Sequence, residues 1–182
     1  IYGPKGVGAL YIKSRNPRVK ITPQITGGGH EQDVRSGTLN VPGIVGFGKA
    51  CEICRQEMPD ERQKLLHLTS RLKKGLLQIP GAFLNGHPDH RLPNLLNISF
   101  EKLNSSQLLA ALNKFIALSS GSACTSGSLD PSYVLAAMQM NEALSRSALR
   151  FSIGRFTTEA DIDIAVKEVT RTVASLRSQI PL

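Results

Sequence analysis

The stretch Leu149-Arg150-Phe151-Ser152-Ile153-Gly154-Arg155-Phe156-Thr157-Thr158-Glu159 carries two hydrophobic periods back to back. Apolar and polar residues alternate from Leu149 to Ile153, the pattern of a half-buried strand that sets Arg150 opposite Phe151. Thr157 or Thr158, with Glu159 behind, then caps a helix running to about Ser178. Working outward, Ala82 to Leu84 and Asn94 to Phe100 read as strands separated by the Gly86-His87-Pro88 loop. Ser105 or Ser106 opens an amphipathic helix through Leu108, Leu109, Leu112 and Phe115. Two short helices, Ser132 to Met138 and Glu142 to Ser147, lead into the strand of Arg150. From Gly43 the residues Val45, Phe47, Cys51, Ile53 and Cys54 have helical spacing, with a break expected at Pro59. Asp60 caps a second helical run through Leu65, Leu66, Leu68, Leu72, Leu76 and Leu77 that stops at Pro80-Gly81. Helices interleaved with a few short strands predict an α/β or α+β architecture, with a domain boundary near Met58-Pro59.

Upstream of that boundary the pattern is looser. Val7 to Ile12 reads as a short buried strand, followed by a basic loop from Lys13 to Lys20. Pro23 to Pro42 holds Gly27-Gly28-Gly29, Gly37 and Pro42 with almost no periodicity, and long loops of this kind are usually functional or interfacial.

Composition narrows the classes. The 182 residues include 22 Lys and Arg against 14 Asp and Glu, 22 − 14 = +8, which suits anionic ligands or acidic partner faces. With no Trp, three Tyr and six Phe there is little surface for stacking bases, so nucleic acid is not expected as a partner. No apolar run reaches the roughly 20 residues of a membrane span, and no secretory leader pattern opens the chain. Three cysteines are too few for a disulfide scaffold. A soluble protein of a reducing cytoplasm is the resulting expectation.

Several residues could carry chemistry. Cys124 sits in Ser119-Ser120-Gly121-Ser122-Ala123-Cys124-Thr125-Ser126-Gly127-Ser128, a stretch of small residues that leaves a thiol sterically open in a loop expected to be mobile; a reactive thiol and a packed structural one both remain open. Arg150 on its strand requires an anion, either a bidentate substrate carboxylate or a structural Asp or Glu. The loop Gly27-Gly28-Gly29-His30-Glu31 through Arg35-Ser36-Gly37-Thr38 has the parts of an anion cradle and equally those of a plain turn. Cys51 and Cys54 form a CxxC inside a helical run without the second pair that a zinc site needs, so they read as small core or flank residues and no metal is expected. Lys5 in GPKGVG lacks the order of a nucleotide-binding loop.

Together, Ile1 to Tyr11, Gly27 to Glu31, Arg35 to Thr38, Ser119 to Cys124 and Arg150 to Arg155 closely resemble the pyridoxal-phosphate-dependent cysteine desulfurases of iron–sulfur cluster assembly, from Ile1 to about Leu176. The resemblance implies an α/β, fold-type-I, aminotransferase-like homodimer. Residues 1–57 would be the tail of the large cofactor domain with its dimer-interface loop, and 58–182 the small C-terminal domain. It implies that L-cysteine is converted to L-alanine while Cys124 takes the sulfur as a persulfide, for an iron–sulfur scaffold protein or another acceptor. Arg150 would hold the substrate carboxylate, and Thr38 would reach the cofactor phosphate of the other subunit. The Schiff-base lysine of the pattern would directly precede Ile1, so the 182 residues are expected to be a C-terminal portion that is inactive alone and exposes apolar surface toward its missing N-terminal portion. A non-catalytic sulfur-carrier or interaction module, and a selenocysteine lyase, are the alternative functions.

Overall fold

The computed structural model describes residues 1–120 and 132–180. They divide into two compact units, Ile1–Pro59 and Asp60–Leu182. One helix, α1 (Val41–Leu76), contributes to both, and its interior Pro59 stands at the boundary. The expected break at Pro59 is not there. A proline costs the helix the hydrogen bond its missing N–H would make to the Arg55 carbonyl, and a helix can run on through that loss when both flanks are held. Here both flanks are held: Ala50 is buried in the first unit, and Leu65, Leu68, Leu72 and Leu76 are buried in the second.

In the first unit, residues 1–40 contain no helix or strand. The strand expected over Val7 to Ile12 does not form, and Leu10 and Tyr11 are exposed. A strand needs a neighbour to complete its backbone hydrogen bonds, and no strand of this unit runs beside it. The segment is instead placed by contacts with α1. A Cβ on Gly3 would stand 3.3 Å from the Cβ of Ala50, one on Gly46 would stand 3.0 Å from the Pro4 ring, and the Cys54 thiol lies 3.8 Å from the Ile1 carbonyl.

The second unit is built on a three-stranded antiparallel sheet in the order β1 (Ala82–Leu84), β2 (Leu95–Phe100), β3 (Leu149–Ser152). Period-2 alternation sends Leu96, Ile98, Phe100, Leu149 and Phe151 to one face, where all are buried. Against that face pack the leucine stripe of α1, Leu108 and Leu112 of α2 (Ser105–Leu112), and Ile162, Val169 and Val173 of α5 (Glu159–Ser178). Two short helices, α3 (Tyr133–Ala137) and α4 (Glu142–Arg146), precede β3. On the opposite side of the sheet, the Ser99 hydroxyl of β2 donates to the Leu144 carbonyl of α4 at 2.7 Å.

Helix starts follow local chemistry. Thr158 caps α5 with a full capping box: its hydroxyl accepts from the Asp161 N–H, and the Asp161 carboxylate accepts from the Thr158 N–H. Helix α2 opens at Ser105, as expected, and Asn104 caps it, its side-chain oxygen accepting from the Ser106 N–H. That helix stops at Leu112, short of the expected Phe115, because a tight turn donates the Phe115 N–H to the Leu112 carbonyl. The turn brings Ile116 and Leu118 back to the core and leaves Phe115 half exposed beneath the Arg171 guanidinium, 5.2 Å from its ring centre.

Helices α1 and α5 touch closely. A Cβ on Gly75 would lie 2.7 and 2.8 Å from the two γ-carbons of Val166. One turn along the same seam, Arg71 makes two hydrogen bonds to Asp163, at 2.8 and 2.9 Å. That hydrogen bonding, with the attraction of the charges, holds the Asp163 carboxyl below its ordinary value of 3.8 and the Arg71 guanidinium above its own.

Two outcomes follow for equilibrium unfolding in urea. Gly75→Ala gains about 1 kcal/mol of helix propensity but drives a methyl into a stiff β-branched neighbour at a cost of about 1–3 kcal/mol, so the chain loses stability. Adding Val166→Ala must remove the steric part of that loss. The stability difference between the native chain and Asp163→Asn should be present above about pH 4 and shrink as pH falls through the depressed carboxyl, since a native pKa below the unfolded one favours folding only while the group is ionised.

Candidate active site

Arg150 lies at the centre of β3 with its neighbours Leu149 and Phe151 buried, so its side chain emerges on the face opposite the core. A row of four residues crosses the sheet at this level. The Asn85 N–H donates to the Asn97 carbonyl at 2.9 Å, Asn97 is the register partner of Arg150, and Arg150 forms a two-way bridge to Ser119. The N–H of Arg150 donates to the Ser119 carbonyl at 2.7 Å and its carbonyl accepts from the Ser119 N–H at 3.4 Å. Both Asn97 and Arg150 thus turn their backbone polar groups away from each other. They form the narrow kind of antiparallel pair, in which side chains stand closest, with Cβ atoms about 4.5–5.5 Å apart.

The Arg150 side chain is half-buried, and its guanidinium forms no ion pair among the described residues. Of the two anions open from the sequence, the structural Asp or Glu is not found among the described residues.

Beside it lies a polar network that sequence reasoning did not pick out. Asn85 is buried, and its side-chain amide donates to the Asn97 amide oxygen at 2.6 Å and to the Ser99 hydroxyl at 2.8 Å. The signal was present in Leu95 to Phe100, where polar residues occupy the alternate positions 97 and 99 of a strand whose other face is core.

In the first unit the glycine loop is largely satisfied by itself. The Gly29 N–H donates to the Ser36 hydroxyl and the Gly37 N–H to His30 Nδ1, both at 3.3 Å, while Arg35 Nη1 donates to the Ser36 carbonyl at 2.9 Å. Ser36 is buried and its own N–H reaches the Ile25 carbonyl. At these positions the loop is a structural turn. Thr38 differs: it is exposed, its hydroxyl makes no hydrogen bond among the described residues, and with Arg35 it lines a cleft of about 920 Å³. A hydroxyl with no partner among the described residues, sharing a cleft with a guanidinium, fits a phosphate, so this part of the chain is compatible with a phosphate-bearing cofactor.

Cys124 and its loop lie outside the described residues. Cys51 is exposed and Cys54 half-buried on α1, and no cluster of three His, Cys, Asp or Glu among the described residues could hold a metal. No helix among them is long and apolar enough to cross a membrane.

Residues 1–164 match the family Aminotransferase class-V. The chain belongs to the class-V aminotransferase family. Its members are pyridoxal-phosphate enzymes of fold type I, the fold class that the resemblance implied. Among class-V aminotransferase relatives, the cysteine desulfurases IscS of Escherichia coli O139:H28 and of Shigella boydii are each 50% identical over 182 residues, which is 100% of this chain and 45% of theirs. Among solved structures, a NifS-like protein from Rickettsia africae superposes with a TM-score of 0.76 at 29% identity, over 86% of this chain and 41% of that one. DndA from Streptomyces lividans gives 0.62 at 34% identity, over 82% and 43%. The chain therefore spans less than half the length of these relatives.

Hydroxyl deletions in the glycine loop separate structure from ligand binding. Ser36→Ala should cost about 1–2 kcal/mol in urea unfolding because it strips the partner of Gly29, whereas Thr38→Ala should stay within about 0.5 kcal/mol of the native chain. Equal losses for the two would show that Thr38 is a structural residue.

Proposed function

We propose that the protein to which these residues belong is a cysteine desulfurase, and that the chain supplies its sulfur-accepting thiol, its carboxylate anchor and one phosphate contact. The observation that carries this reading is the 50% identity to cysteine desulfurases over all 182 residues. In the net reaction, L-cysteine and the Cys124 thiol give L-alanine and a Cys124 persulfide. The substrate's carbon–sulfur bond breaks, a sulfur–sulfur bond forms, and a proton takes sulfur's place on the substrate carbon. Pyridoxal phosphate, when bound, supplies the electron sink that makes this bond labile.

The residues of the chain divide the remaining work. Cys124 is the nucleophile, in a stretch of small residues that lets a thiolate approach the substrate sulfur. Arg150 fixes the substrate carboxylate. A guanidinium on a strand backed by Leu149 and Phe151 is planar, always charged and held at its root, so it orients the substrate as well as binding it. Thr38 donates its hydroxyl to the cofactor phosphate of the other subunit of a homodimer, which accounts for a long loop stabilised by its own side chains while one hydroxyl stays free. The persulfide is then passed to a scaffold protein of iron–sulfur assembly or another sulfur acceptor, in the cytoplasm.

The test uses the full-length, cofactor-loaded protein and follows alanine formed from cysteine. Cys124→Ser should abolish both alanine turnover and protein-bound persulfide, and Arg150→Lys should raise the KM for cysteine about ten- to hundredfold. Undiminished alanine formation by Cys124→Ser would overturn the reading.

A further inference from the structure

The network behind Arg150 has a fixed direction, and that direction determines what Asn97 presents. A backbone carbonyl can only accept, so at the Leu144 carbonyl the Ser99 hydroxyl must be the donor. Having spent its proton there, Ser99 Oγ can only accept from Asn85, which must therefore turn its NH2 group toward Ser99. The same NH2 sends its second proton to Asn97, which must meet it with oxygen. The Asn97 amide is thus oriented by a relay that begins at a main-chain carbonyl, and its own NH2 group is left over. That carbonyl is itself held in place, since it also accepts from the Ser147 hydroxyl at 2.9 Å, and Ser147 in turn accepts from the Phe100 N–H.

The leftover NH2 group has no partner among the described residues, and Asn97 is only half-buried. It stands across the narrow pair from Arg150, whose guanidinium likewise has no anion among the described residues. Two unspent donors of one sheet face, each on a strand with a buried back, converge on the same side. An anion with two oxygens in one plane satisfies both: one oxygen toward the guanidinium and the other shared with the amide.

We propose that Asn97 is a second substrate-binding residue, donating through Nδ2 to the carboxylate that Arg150 holds, with Asn85 and Ser99 as the positioning residues that turn its amide outward. This inference rests on the proposed desulfurase reading, which supplies an amino-acid substrate, and it adds a residue to which that reading gave no role. The amide also limits the ligand. A neutral donor beside the guanidinium accepts a carboxylate without adding net charge, and it rejects a carboxamide that would turn its own NH2 toward it.

The experiment compares the native full-length, cofactor-loaded enzyme with Asn97→Ala, Asn97→Asp and Arg150→Ala. It measures kcat and KM for L-cysteine, together with the dissociation constants of L-alanine and L-alaninamide from their absorbance titrations. Asn97→Ala should raise KM and the L-alanine dissociation constant by about tenfold, leave kcat within about twofold, and leave L-alaninamide binding undiminished or tighter as the opposed NH2 group is removed. Asn97→Asp keeps an oxygen for Asn85 and so keeps the fold, but it places a carboxylate on the guanidinium. It should weaken L-alanine binding further than Asn97→Ala does, and it decides the matter if the alanine variant proves unstable. Unchanged KM and L-alanine binding in both Asn97 variants, with Arg150→Ala strongly impaired, would overturn the inference and leave the desulfurase reading standing. If Arg150→Ala is itself unimpaired, the assignment of Arg150 in the desulfurase reading falls. An equal loss of L-alanine and L-alaninamide binding in Asn97→Ala would mark Asn97 as merely structural.

Discussion

The two-residue period of β3 is the constraint on which the second unit turns. Leu149 and Phe151 cannot enter the core without Arg150 leaving it, and the core has no substitute for them: they close the layer between the leucines of α1 and the apolar stripe of α5. A slip of one residue would bury a guanidinium with no anion and expose a phenylalanine. The folding energy of the core therefore also sets the direction of the cation, and burial supplies the orientation that a loop-borne arginine would have to obtain from further contacts. Ser119 gains from the same arrangement, because the bridge to Arg150 ties this residue to the strand that carries the cation.

Polar groups under the sheet follow a stricter economy. Burying Asn85 and Ser99 is tolerable only because each donor meets an acceptor, ending at the Leu144 carbonyl. Such a network is rigid because no member can turn without leaving another unsatisfied. The glycine loop of the first unit works in the same manner with backbone donors: Ser36 and His30 satisfy Gly29 and Gly37, and the free hydroxyl falls one residue later.

Much of this was legible in the sequence where the signal is local. The strand of Arg150, the cap at Thr158, the two short helices before β3 and the leucine stripe of α1 all follow from spacing and capping chemistry within a few residues. The failures occurred where a distant partner decides. Val7 to Ile12 has strand composition, but composition does not supply a neighbouring strand. Pro59 has the character of a breaker, yet the flanking turns are held by packing in both units. The direction of the Asn97 amide depends on a carbonyl of α4 that no local pattern connects to it. Arg150 and Thr38 stand out by residue type, but that the guanidinium and the hydroxyl meet no partner among the described residues is visible only in three dimensions.

The seam between α1 and α5 also bears on the order in which the second unit can assemble. Arg71 and Asp163 lie 92 positions apart, and the leucines of α1 find their far wall only when Ile162, Val169 and Val173 arrive. Closing so long a stretch is entropically costly before any contact repays it, so this interface is of the slow, late-forming kind. A chain interrupted between β2 and α5 would carry a sheet with an unpaired edge and a helix with a bare apolar stripe, both adhesive surfaces. Quality control of this protein during synthesis therefore depends on the interval in which α1 exists and α5 does not.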